Sequence, residues 1–214
     1  MARKVAKEMA VEPWAEAIGH LKSADAKLAR LIEQVGPCRL EPRSDYLATL
    51  AQSIISQQIS TKAAANIFGR VAAIMPSPWT IESTQQLTSE FLQSCGVSQQ
   101  KRNYLVSLID RVGSGQLKLK RLEKLDDEAI IRELTEVKGI GRWTAEMFLI
   151  FALNRPDVLP VADLGIREGL KKHFELVEHP RPQECHELTN HWRPWRSVAM
   201  WYLWRMSEIK EKQP

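Results

Sequence analysis

In the stretch VKGIGRWTAEMF, residues 137–148, Gly139 and Gly141 flank one isoleucine, and an apolar run opens directly behind them. Glycine is required where φ is positive or where another backbone must approach closely. Such a turn leaves the amides of Ile140 to Trp143 at the start of a helix. Unpaired N–H groups and the positive end of the helix dipole there favour an anion such as a phosphate. The same Gly-x-Gly spacing also serves as a plain tight corner between two helices, so spacing alone leaves both readings open. Downstream, in VLPVADLGIREGL (158–170), Asp163 directly precedes a helical pattern. A carboxylate in that position is by default an N-cap, accepting from the amides of the next turn. Capping also holds it rigid, so a second role as a fixed anion is compatible with the first. Seven tryptophans are many for 214 residues, and four of them fall between Trp192 and Trp204. Ser197, Met200, Trp201 and Trp204 share a helical face by i, i+3, i+4 spacing. Such a stripe is ordinarily core, which is the reading adopted for Trp195 and Trp201.

Helices must carry these residues, because helical periodicity dominates and convincing strand alternation is absent. Pro13 suits the first position of a helix running to about Lys22, and a second spans Ala24 to Gln34, stopping at Gly36-Pro37. Asp45 starts YLATLAQSIIS, and Ser60 caps TKAAANIFGRVAAIM, which Pro76 ends. Ser98 precedes QQKRNYLVSLIDRV, closed by Gly113-Ser114-Gly115. A short helix over Asp127–Thr135 leads into the glycine turn, and Asn154-Arg155-Pro156 stops the apolar helix that follows. LGIREGLKKHF, ECHELTNHW and WRSVAMWYLWRMSEIK complete the set, with breaks at Pro180 and Pro182 and a start at Pro194. About ten helices with short connections and no repeats make an all-α protein.

Net charge is +4, and from Lys62 to Leu125 nine Lys/Arg face four Asp/Glu. That balance is compatible with a polyanionic partner without establishing one. Cys38, Cys95 and Cys185 are odd in number, far apart and never in a C-x-x-C pair. A disulfide framework and a four-cysteine iron–sulfur cluster are therefore not expected, and a reducing compartment is. No apolar stretch reaches the roughly 18 residues needed to span a bilayer, and the first residues lack a signal-peptide apolar core. The expectation is an intracellular protein without membrane association, in the cytoplasm or nucleoid of a bacterium or the nucleus of a eukaryote. His179, Cys185, His186 and His191 lie near one another without a recognised ligand spacing, so no zinc site is expected.

LTEVKGIGRWTA resembles the helix–hairpin–helix of the DNA glycosylase superfamily that shares this motif and a downstream aspartate. VLPVADLGIREGL resembles the segment carrying that aspartate. SIISQQISTKAA, GVSQQKRNYLVSLI and WRPWRSVAMWYLW are similar to the corresponding blocks of its alkylpurine (3-methyladenine) branch. The five blocks stand in family order over roughly residues 45–205. The resemblance implies a single glycosylase unit, 1–214, of two helical lobes around a central cleft. Residues 48–155 would form the central lobe ending in the helix–hairpin–helix, with 1–47 and 156–214 forming the terminal lobe. The implied activity is base-excision repair: hydrolysis of the N-glycosidic bond of alkylated purines, of the 3-methyladenine and 7-methylguanine type, after base flipping. An abasic site would remain.

Carried over by position, Asp163 matches the family's essential carboxylate. Trp143 and Trp204 match pocket-wall tryptophans, and Met147 stands where relatives can carry an aromatic residue. Gln58 matches the side chain that fills the gap left by the flipped nucleotide, with Gln57 beside it. The resemblance and the basic residues together make Gln57, Gln58, Ser60, Lys62, Lys101, Arg102, Gly139, Gly141, Arg142, Thr144 and Arg196 candidate DNA contacts. The carbonyls of Thr135, Val137 and Ile140 match those that bind a structural Na+ or K+ in the family's hairpin; no other cofactor is implied. Relatives that also cut the strand place a lysine in the first turn after the glycines, where this chain has Trp143. The partner is double-stranded DNA containing damaged bases, engaged by a monomer. A non-catalytic DNA-binding module using the same hairpin, and a glycosylase for neutral lesions such as ethenoadenine or hypoxanthine, stand as alternatives.

Overall fold

The computed structural model describes residues 13–210. Among them the chain forms twelve α-helices and two short 3-10 turns, with no strand. It divides into two compact units, one from the segments up to Arg39 and from Val161 onward, the other from Leu40–Pro160.

The unit Leu40–Pro160 contains α3 (Tyr46–Ser56), α4 (Thr61–Ala72), α5 (Ser89–Ser94), α6 (Gln99–Gly113), α7 (Leu119–Leu122), α8 (Asp127–Thr135) and α9 (Arg142–Phe151). Local sequence sets most of the starts. Asp45 caps α3 by accepting from the Ala48 amide at 3.0 Å, and its other oxygen accepts from the Trp79 amide at 2.8 Å. Ser60, Thr88 and Asp126 cap α4, α5 and α8 in the same way. Ser98 precedes α6 as expected, but its side chain makes no capping bond. Ile54, Leu108, Leu134 and Phe148 are fully buried at the centre of this unit. Each such side chain contributes about 1.5–3 kcal/mol, an upper figure because denatured chains already bury some surface. The unit begins earlier and ends later than the 48–155 lobe. The Arg43 amide donates to the Ala152 carbonyl at 3.1 Å and the Asn154 amide group to the Leu40 carbonyl at 3.3 Å. These bonds tie residues 40–47 to the end of α9.

The other unit contains α1 (Ala15–Ala24), α2 (Ala26–Val35), α10 (Leu164–His173), α11 (Pro182–Leu188) and α12 (Arg196–Lys210). Asp25 is its organising polar group. One oxygen caps α2, accepting from the Lys27 and Leu28 amides at 2.9 Å. The other accepts from Trp192 Nε1 at 3.2 Å and lies 2.7 Å from His173 Nε2. Burial pushes the carboxyl up, but the Leu28 amide and His173 outweigh it and hold the pKa down at about 2. Gly169 lets α10 approach α12 closely, since a Cβ there would sit 3.1 Å from Leu203 Cβ.

Several boundaries differ from the sequence reading. The first helix starts at Ala15 behind Trp14, and α2 starts behind Asp25. Pro182 opens α11 instead of breaking the chain, because the first helical position needs no N–H donor. The short helices α5 and α7 span too few residues to show a period. No helix among the described residues is long and apolar enough to cross a membrane.

Candidate functional site

Thr135 ends α8 and Arg142 begins α9, so the glycine turn joins two helices within one unit. Gly139 has φ +90°, and a Cβ there would lie 2.2 Å from the Tyr104 ring. Its residue type is thus required by backbone conformation and by close packing together. Gly141 is different: its φ is −92°, and a Cβ would meet nothing within 4 Å. Nothing inside the protein demands glycine there, and the position is exposed. The turn is closed by Val137 N donating to Leu134 O at 3.1 Å and Ile140 N to Val137 O at 3.0 Å. Gly141, the N-cap of α9, has no side chain with which to cap the helix, so an external anion can approach its start.

Trp143 and Met147 lie one turn apart on α9. Trp143 is 39% exposed and Met147 half-buried, while Thr144, Ala145 and Phe148 are buried. The helix therefore keeps the Trp143 indole at the surface beside the turn, with the Met147 thioether partly covered.

In the other unit Asp163 caps α10. Its Oδ1 accepts from the Ile166 amide at 2.8 Å and from Trp204 Nε1 at 3.1 Å. Ser197, Met200 and Trp201 are buried, and Trp204 is the half-buried member of their stripe. Trp195 packs edge-on against Trp14 at 6.4 Å, and the Arg205 guanidinium lies 4.7 Å from the Trp201 ring. Sequence reasoning missed Gly165. A Cβ there would sit 3.1 Å from Asp163 Oδ1 and 3.3 Å from Trp204 Cδ1. Its lack of a side chain leaves the indole room beside the carboxylate. A glycine in the first turn of a helix, costing about 1 kcal/mol against alanine, was the available signal.

The candidate DNA contacts separate into outward and inward groups. Lys62, Gln58 and Ile59 are exposed, and Gln58 has φ +56°, an uncommon conformation for a side-chain-bearing residue. The Ser60 hydroxyl accepts from the Ala63 amide at 3.3 Å. Gln57 turns inward: its Nε2 donates to Gly139 O at 2.8 Å and lies 3.5 Å from Thr144 Oγ1. Thr144 is buried, with its hydroxyl beside Gln57, so it offers no side chain to an external partner. Lys101 Nζ donates to Ile55 O at 2.8 Å, and burial pushes its pKa down. Arg142 pairs with Glu128 through both terminal nitrogens and with Glu146 through Nε at 3.0 Å. The Glu128 bonds raise its pKa, so its charge is already largely answered within the protein. Arg102 is 8% exposed and donates to Val97 O at 2.8 Å; Arg196 is 5% exposed and sits against His186. The expectation of surface phosphate contacts from these last two is corrected by their burial.

The histidines disperse. His179 lies 2.8 Å from Glu168 and His191 3.5 Å from Asp25, while Cys185 is buried with its thiol pKa pushed up. Among the described residues no group of three His, Cys, Asp or Glu could hold a metal ion.

One unit thus holds a glycine hairpin between two helices with a surface tryptophan beside it, and the other holds a helix-capping carboxylate bonded to an indole. The chain belongs to the HhH-GPD superfamily of base excision DNA repair proteins, whose profile matches residues 51–194. It is 36% identical to DNA-3-methyladenine glycosylase 1 of Schizosaccharomyces pombe, over 96% of this chain and 92% of that one. It is similar to the structure of S. pombe 3-methyladenine DNA glycosylase (Mag1) in complex with abasic DNA. That match has TM-score 0.82 and 35% identity, covering 93% of this chain and all of the other. A DNA-3-methyladenine glycosidase from Bacillus halodurans matches with TM-score 0.77 and 33% identity, over 92% and 91% of the two chains.

Proposed function

We propose that this chain is a monofunctional DNA glycosylase that removes alkylated purines, of the 3-methyladenine and 7-methylguanine type, from double-stranded DNA. The observation that carries the proposal is the Asp163 carboxylate, held at one oxygen by the Ile166 amide and Trp204 Nε1. Cleavage breaks the bond between C1′ and the purine nitrogen, and the bonding electrons leave with the base. An alkylated purine is already cationic, so it departs neutral without a strong general acid. C1′ becomes cation-like, and a preorganised carboxylate stabilises that charge. Water then bonds to C1′ and gives up a proton, which Asp163 can accept or direct. The base must first leave the stack, and an electron-rich indole holds a flat cation by stacking and cation–π attraction. Trp143 with Met147 in one unit, and Trp204 in the other, each offer a surface of this kind. The chain keeps no lysine on α9 to form a Schiff base with the sugar, which supports release of the base without strand cutting.

DNA is gripped by the hairpin amides next to Gly141, with Lys62 as a charge contact and Gln58 as the residue entering the vacated stack. The carbonyls of Thr135, Val137 and Ile140 would hold Na+ or K+ and extend the turn's positive field toward a phosphate. Val137 O accepts one bond, from Ile140 N, and keeps a second lone pair, so the turn fits such an ion. The protein acts as a monomer, which sedimentation of the free protein and of its DNA complex checks.

Methylated duplex DNA is incubated with wild type and with Asp163→Asn, and released bases are separated by chromatography. Wild type is expected to release methylpurines and leave strands that break only in alkali. No release would sink the enzyme reading and leave a binding module; equal release from the variant would remove Asp163 from the chemistry. Release of hypoxanthine or ethenoadenine from matched substrates, whose lesions are uncharged in DNA, would shift the lesion class.

A further inference from the structure

We infer that Gln57 is a positioning residue that couples the exposed turn at Gln58 to the glycine hairpin, so that gripping a phosphate and entering the stack become one mechanical event. The inference rests on the reading of Gln58 as the inserting residue. Gln57 and the hairpin are 82 residues apart in sequence, yet Gln57 Nε2 donates to Gly139 O at 2.8 Å and lies 3.5 Å from Thr144 Oγ1. The next residue, Gln58, holds φ +56°. Such a backbone costs on the order of 1 kcal/mol and persists only where its surroundings over-determine it. Its surroundings do so on both sides: Gln57 is fixed to the hairpin, and Ser60 is fixed as the cap of α4.

Helix α6 completes the frame. Lys101 Nζ donates to Ile55 O, in the last turn of α3 before Gln57. One turn on, the Tyr104 ring fills the space that a side chain at Gly139 would take. Near the next turn, Ser107 Oγ accepts from the Lys138 amide at 3.3 Å. One helix thus braces both the turn and the hairpin, and Gln57 bonds the two directly. An inserting side chain works only if its backbone does not yield when the duplex pushes back. Misplacement of about 1 Å is enough to cost a large factor in such devices.

The test uses a duplex with a tetrahydrofuran abasic analogue opposite 2-aminopurine, whose fluorescence reports insertion into the gap. Wild type is expected to change the signal on binding, and Gln58→Ala to lose that change. Gln57→Ala, and the isosteric Gln57→Glu that cannot donate to Gly139 O, should lose at least about fivefold of the change. Their affinity for undamaged duplex should stay within about threefold of wild type. A wild-type signal from both Gln57 variants, or an equal loss of undamaged-duplex affinity, overturns the coupling. No signal change from wild type also overturns it, whereas methylpurine release by wild type reports separately on the enzyme reading.

Discussion

An alanine at position 139 would carry its Cβ into the Tyr104 ring at 2.2 Å while holding φ at +90°. Overpacking and the left-handed backbone together should cost roughly 2–4 kcal/mol, read as a large fall in Tm. Gly141→Ala meets no atom within 4 Å at φ −92° and should leave Tm unchanged or slightly raised. Its methyl group would stand where a phosphate approaches, so affinity for duplex DNA should fall several-fold by fluorescence anisotropy. Unchanged affinity would remove the hairpin amides from DNA binding. Asp163→Asn keeps an oxygen able to accept from Ile166 N and Trp204 Nε1, so its fold should persist. Loss of the anion beside C1′ should lower single-turnover excision by about 100-fold or more. Gly139 and Asp163 were legible in the sequence because a turn and a cap are local events. Gly165 was not, because its reason is an indole 39 residues further along the chain.

Helix starts were legible at short polar side chains that cap long helices, as at Asp45 and Ser60, but not at Thr88, whose helix α5 is too short to show a period. What each cap does beyond its helix was not, since Asp45 also accepts from Trp79 N, and Asp25 from Trp192 and His173. Replacing Asp25 by alanine leaves the Leu28 amide of α2, His173 of α10 and Trp192 without their acceptor. The cost should be roughly 2–3 kcal/mol at neutral pH in a urea titration. Its pH dependence follows from the depressed carboxyl pKa, about 2 in the fold against 3.8 for a free aspartate side chain. Between those values the unfolded chain binds more protons. The ionic part of the stabilisation is therefore complete above about pH 4 and lost as pH falls through 2. That part is on the order of 1 kcal/mol after solvent screening. Wild type and Asp25→Asn should therefore converge in stability toward pH 2, and a constant difference down to that pH would contradict the assignment.

For the molecule as a whole, a net charge of +4 is compatible with a DNA affinity that falls with salt, but does not say which cations would carry it. Lys62 is exposed, whereas Lys101 is bonded to Ile55 O and Arg196 is buried. Lys62→Ala should reduce the slope of log affinity against log salt by about one, as for one lost phosphate contact. Lys101→Ala should leave that slope unchanged and instead reduce the 2-aminopurine response; equal slope changes in both variants would contradict the division. By itself the sequence determined the helical class, the glycine hairpin, the capped Asp163 and the family. Each rests on residues within a few positions of one another or on the order of blocks along the chain. Only the tertiary structure decided that Gln57 braces the hairpin, that Arg142 is claimed by Glu128 and Glu146, and that Arg196 lies inside. The physical reason is that solvent exposure and hydrogen-bond partnership are set by segments that meet only after folding, which no local spacing encodes.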